Sequence, residues 1–224
     1  MDRTELELLV KEAVRDADLR AAEIPSIDLY VDQITSLTSD KLKEGAVRFH
    51  DRVLTKTMIN NYSKDGLISP IKGKKYSKEQ ILQMLLVYSM KNTLSINEIK
   101  QILQGVYSLP SYNTAMLESV YERFLDIKEL ERADAWDSVQ SFIDRHSLDV
   151  NDDSDYLTLI LGMAAMSSYF KSIVQALLET RYPLPQAESK EDQKRQKEEE
   201  KKEKKEKKAA KSKKDDAPEK EEDQ

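Results

Sequence analysis

The 224-residue chain has no cysteine, only five glycines and only six prolines. The first absence excludes disulfides, thiolate metal sites and cysteine nucleophiles, and it is compatible with a reducing cytoplasm. The scarcity of the two turn-forming residues, with apolar residues recurring at helical spacing, argues for a mainly α protein. The last 37 residues, Glu188–Gln224, lack Ile, Leu, Val, Met and every aromatic, so the foldable part ends near Pro185. A chain of that length can bury a core without staples.

Long uncharged runs are missing too. The most apolar is Tyr156–Phe170, 15 residues that include Thr158, Ser167 and Ser168. A bilayer-spanning helix needs about 20 mostly apolar residues, so this run reads as a buried helix, and no membrane partner is expected. The start, "MDRTELELLV", is acidic and lacks the basic-then-apolar order of a signal peptide. The expected location is therefore cytoplasmic.

Signs of catalysis are equally sparse. His50 and His146 lie 96 residues apart with no metal-ligand spacing, so no metal is expected. Asp152, Asp153 and Asp155 resemble a helix-capping cluster and lack the glycine and final glutamate of a calcium loop. No glycine-rich phosphate loop and no G-x-S-x-G elbow occurs. The chain is not expected to be an enzyme or to carry a cofactor.

What the sequence does have is an uneven charge pattern. The net charge is −6 overall, which alone argues against a nucleic-acid partner. Residues 41–80 nevertheless hold ten basic and four acidic side chains, between flanks of −6 (1–40) and −7 (111–187). Local field, not total charge, decides where a polyanion docks.

Helical stripes recur along the chain. Leu6, Leu9, Val10, Ala13, Val14 and Ala17 form one, which ends before Pro25. A second runs from Asp28 to Leu42 and is followed by the aperiodic connector "KEGAVRFHDR". Thr55 suits the N-cap of a short third helix with Met58, Ile59 and Tyr62 on one face, and Gly66 suits its left-handed stop. "LIS" and "KKY" around "PIKG" read as a small hairpin between Leu67 and Tyr76. Ser77 with Gln80, and Ser95 with Glu98, form two capping boxes. A stripe from Met116 to Leu125 continues, or breaks near Ala133, into Trp136–Ile143. The last helix, Tyr156 to about Thr180, is apolar on most sides and should be the most buried element.

A helix, a turn, a second helix and a two-stranded wing would present the short helix to the major groove and the basic loop to the backbone. Thr55, Thr57, Asn60 and Asn61 are short polar groups able to reach phosphates or base edges, and asparagine can pair bidentately with adenine. Lys56, Lys64, Lys72, Lys74 and Lys75 supply charge for phosphates and for counterion release. The bland alternatives are a solvated basic face and, for Asn60, an ordinary surface residue. Tyr62 and Tyr76 read as packing residues rather than stacking platforms.

"LTKTMINNYSKDGLI" and the following "YSKEQILQMLLVYSMKNTLSINEIKQIL" resemble the MerR family over about 50 residues. Leu54, Thr55, Ile59, Tyr62, Gly66, Leu67 and Ile68 fall on its second-helix pattern, and Pro70, Lys75 and Tyr76 on its wing. More narrowly, the stretch from "IDLYVDQITSL" through "KKYSKEQI" is similar to an uncharacterised bacterial family, the domain of unknown function numbered 1836. The resemblance implies a MerR-like winged helix-turn-helix and a double-stranded DNA partner bound as a homodimer. Asn60, Asn61, Lys74 and Lys75 replace MerR arginines or aromatics, and lysine lacks the planar fork of arginine.

The expected organisation is an N-terminal amphipathic helix (1–24), the winged helix-turn-helix domain (25–110), a helical dimerisation or sensing module (111–185) and a disordered Lys/Glu-rich tail (186–224). The resemblance places dimerisation, of coiled-coil type, or an effector of unknown kind, small molecule or protein, in the third part. Met163, Met166, Tyr169 and Phe170 could line such a cavity or seam, against ordinary core as the bland reading. The function expected is DNA-binding transcriptional regulation. The alternative is a non-enzymatic protein-interaction adaptor whose winged helix no longer binds DNA.

Overall fold

The structure is a computed structural model; it describes residues 2–42, 54–71 and 73–183. The connector around His50, Lys72 and the tail expected to be disordered lie outside the described residues. The chain divides into two units, residues 1–182 and residues 183–224.

Within the first unit the order is α1 (Arg3–Ala13), a 3-10 turn (Ala21–Glu23), β1 (Leu29–Tyr30), α2 (Val31–Leu42), α3 (Lys56–Lys64), β2 (Lys75–Tyr76), α4 (Lys78–Met90), α5 (Ile96–Tyr107), α6 (Thr114–Ala133), α7 (Ala135–His146) and α8 (Asp153–Arg181). The fold is mainly α, with one two-stranded antiparallel sheet among the described residues.

The ends of the helices follow their capping chemistry. Ser77 accepts from the Gln80 amide while the Gln80 side chain accepts from the Ser77 amide, and Ser95 and Glu98 repeat the arrangement. Asp152 caps α8 by accepting from the Ser154 and Asp155 amides. The α6 stripe breaks at Asp134, the residue between α6 and α7.

One large core runs from Leu19 to Leu125, with Ile81, Leu82, Met84 and Val87 of α4 fully buried. A smaller cluster joins Leu6 of α1, Ile143 of α7, Val150 of the loop between α7 and α8, and Leu159 of α8. α4 is thus the central helix, packed against α3, β2 and α6.

Three expectations need correction. The two strands do not form a hairpin between Leu67 and Tyr76. β2 pairs instead with β1, Leu29 opposite Tyr76 and Tyr30 opposite Lys75, and Leu67–Ser69 is not a strand. The reason is local: the Leu67 amide donates to Tyr62 O and the Gly66 amide to Ser63 O. That six-to-one and five-to-two closure ends α3 and turns Leu67 and Ile68 into the core.

Nor does α1 reach Ala17. It stops at Ala13, and the segment beyond is held on α6 by charge. Lys128 pairs with Asp16 (2.8 Å) and Asp18 (2.6 Å). Arg20 pairs with Glu122, Asp126 and Glu129.

Finally, α8 is mostly exposed rather than the most buried helix. Only Leu159 and Leu178 are buried along its 29 residues. Its neighbours are short, with α7 and α1 covering its first part and α5 its end. Uniform apolarity records what a helix needs covered, not what covers it. By length and composition α8 could also cross a membrane.

Two close approaches hold α8 in place, one at Gly162 and one just past its end. The Phe142 ring occupies the place where a Cβ on Gly162 would be, and the Tyr182 ring does the same at Gly105 of α5.

Candidate nucleic-acid interface

α3 has a sharp division of faces. Ile59 and Tyr62 are buried together with Leu54 just before the helix. Thr57, Asn60, Asn61 and Lys64, spaced i, i+3, i+4, i+7, are exposed, and that spacing places them on one face. Thr55 and Lys56 are exposed at its start, where Thr55 Oγ1 accepts from the Met58 amide at 3.2 Å. The free amides of a first helical turn favour an anion. Tyr62 packs as expected, and burial pushes its phenol up to about 12.

The loop after α3 ends in Gly73, which adopts a left-handed φ of 83°, and in Lys74 and Lys75, both exposed. Pairing with β1 holds the end of this loop beside the start of α2. The Lys75 ammonium lies 5.0 Å from the centroid of the Tyr30 ring, and Lys56 forms an ion pair with Asp32 of α2. Thr55, Lys56, Thr57, Asn60, Asn61 and Lys64 therefore share α3, and Lys74 and Lys75 share the loop. Lys72 lies outside the described residues.

Two glutamines of α4 hold the base of the loop. Gln80 Nε2 donates to the carbonyls of Ser69 (3.1 Å) and Pro70 (3.0 Å). Gln83, fully buried, accepts from the Ser69 amide at 2.8 Å and donates to Ser69 Oγ at 2.9 Å. Gln83 Nε2 also donates to the Tyr112 hydroxyl at 2.8 Å, and that hydroxyl donates to Glu79 Oε1 at 2.6 Å. Thr114 donates to the other oxygen of Glu79, and Tyr107 donates to Leu67 O. Burial, then the Glu79 carboxylate, pushes the Tyr112 phenol up to about 12, so it remains a donor. The loop is thereby tied to the segment between α5 and α6.

Sequence reasoning missed Tyr30 and Asp32, which carry no motif, and the Glu79–Gln83–Tyr112 network. One signal did exist: Gln83 sits inside "ILQMLL", and a polar residue in a buried run needs a buried partner. Among the described residues, no group of three or more His, Asp and Glu side chains is placed to hold a metal ion.

The main core, the loop and the exposed face of α3 all fall within one stretch of chain. Residues 19–124 match the family model for a domain of unknown function, DUF1836. No curated protein and no solved structure matches the chain. The DUF1836 segment starts at Leu19, the first residue of the main core, and stops beside Leu125, the last. All nine residues expected to touch DNA lie inside it, whereas α1, α7 and α8 lie outside.

Proposed function

We propose that this chain is a DNA-binding transcriptional regulator. It engages duplex DNA with the exposed face of α3, in a MerR-like helix-turn-helix arrangement, with the basic loop against the backbone. The observation that carries the reading is the row Thr57, Asn60, Asn61, Lys64, backed by buried Ile59 and Tyr62. A short helix with one polar, partly cationic face and one apolar face can lie in a groove while its back stays in the core. The hairpin implied by the MerR resemblance lends no support. In its place, β1 and the glutamines of α4 tether the loop that carries Lys74 and Lys75.

Lys56 and Lys75 already have partners within the chain, Asp32 and the Tyr30 ring. These contacts favour a second reading, an interaction adaptor that has lost DNA binding. Exposed ion pairs are worth about 0–1 kcal/mol, however, and a phosphate can compete for such a lysine. Chromatography of the full chain on random duplex DNA separates the two. The regulator is retained at low salt and released at moderate salt, because bound phosphates exchange for counterions. Flow-through at low salt overturns the DNA reading and leaves the adaptor.

A further inference from the structure

Along α8, Leu159, Met163, Met166, Phe170, Ile173 and Leu177 follow alternating spacings of four and three. This is the repeat that places side chains on one seam between two helices. The chain itself covers the first two positions: Leu159 is buried with Leu6, Ile143 and Val150, and Met163 packs against them. The remaining four are bare, with Met166 39%, Phe170 63%, Ile173 53% and Leu177 65% exposed. The seam continues where its partner within the chain has ended.

We infer that the stretch Met166–Leu177 of α8 pairs with the same stretch of a second copy. With Tyr169 and Val174 beside it, the bare stretch presents roughly 600 Å² of apolar surface, taking about 150–250 Å² for a whole large side chain. That is at the upper limit of about 300–600 Å² that a monomer leaves bare. Contacts around its edge would bring it toward the about 800 Å² per partner of a stable interface.

A lipid bilayer fits this surface less well. The exposed apolar residues of α8 run from Leu157 to Leu177 and are long enough to span, but Lys171 lies among them. The end of α8 is tied to α5 through Tyr182 against Gly105 and Gln175 on Glu98. Asp152, Asp153 and Asp155 at the start of α8 would repel an anionic leaflet. A shorter row on α6, Val120, Ile127 and Leu130, is also exposed, but Arg123 interrupts it. The inference gives the homodimer a surface and does not rest on DNA binding.

The test is the mass of the full chain in solution by light scattering at tens of micromolar. The expected result is a dimer that becomes a monomer with unchanged helicity in Phe170→Glu/Ile173→Glu and stays a dimer in Ile127→Glu. A wild-type monomer overturns the inference, as does a dimer lost only in Ile127→Glu. A monomer that floats with phosphatidylcholine vesicles assigns the surface to lipid and also overturns it. Because the chain has no cysteine, Ile173→Cys offers a second measurement if the charged variant fails to fold. A short thiol crosslinker should join copies through Ile173→Cys and not through Ser168→Cys on the opposite side of α8. Equal joining at both positions refutes the seam. None of these readings changes if DNA retention fails.

Discussion

Gln175 donates from its side-chain amide to Glu98 Oε1 at 2.6 Å, across 77 residues of chain. The acceptor is the glutamate of the α5 capping box, which also takes the Ser95 amide and hydroxyl at 2.7 Å each on its other oxygen. One carboxylate thus closes a helix start and anchors α8.

The Gln175 hydrogen bond, then those from Ser95, lower the Glu98 pKa from 4.5 to about 2. A carboxyl whose folded pKa is depressed contributes stability above its unfolded value and loses it as pH falls through the folded one. The contribution should be complete above about pH 4.5 and decline between there and pH 2. Melting temperatures from pH 6 to pH 2 should fall less steeply for Glu98→Gln than for wild type. Identical slopes would detach the pH dependence from this latch.

Lys74→Glu with Lys75→Glu should weaken binding to all duplex sequences alike. The slope of log affinity against log salt should lose about two phosphate contacts. Filter binding at low and at moderate salt measures both. An unchanged slope would remove the loop from the interface.

Gly105→Ala should release the Tyr182 ring, because the new methyl would overlap it. Overpacking of this kind costs about 1–3 kcal/mol, against about 1 kcal/mol of gained helix propensity. The sign should reverse in a Tyr182→Ala background, where only the propensity gain remains. Thermal melts of the four proteins form the cycle, and the same sign in both backgrounds would sink the contact.

Gln83→Leu should cost about 1–3 kcal/mol by stranding the Ser69 amide. Amide exchange should speed up at Ser69 while Ile59 and Tyr62 in α3 keep their protection. Protection lost equally at all three would mean that the whole domain loosens and that Gln83 is no specific anchor for the loop.

The helices were legible because their signals are local. Thr55, Gly66, Ser77–Gln80 and Ser95–Glu98 cap the elements they were expected to cap, and the left-handed φ of 68° at Gly66 is the conformation expected there. The apolar face of α3, Ile59 and Tyr62, was legible from periodicity for the same reason, and the exposed row is its complement. The strand pairing was not legible, since Leu29–Tyr30 and Lys75–Tyr76 are two residues each and two residues have no period. The exposure of α8 was not legible, because apolar content says nothing about how far α7 and α5 reach along it. The end of α1 was set by Lys128 and Arg20, whose partners lie more than a hundred residues away in sequence, beyond any window.

Pairing Leu29 with Tyr76 closes a far longer loop than a hairpin within Leu67–Tyr76 would have closed. The entropy of that closure must be met before the ribbon yields anything, so the contact belongs to the late, non-local part of folding. α3 is only nine residues long and relies on the core to hold it, and Lys75 reaches the Tyr30 ring only once β2 has paired with β1. A fragment beginning at Leu54 should lose this pairing and the placement of Lys75 that it provides.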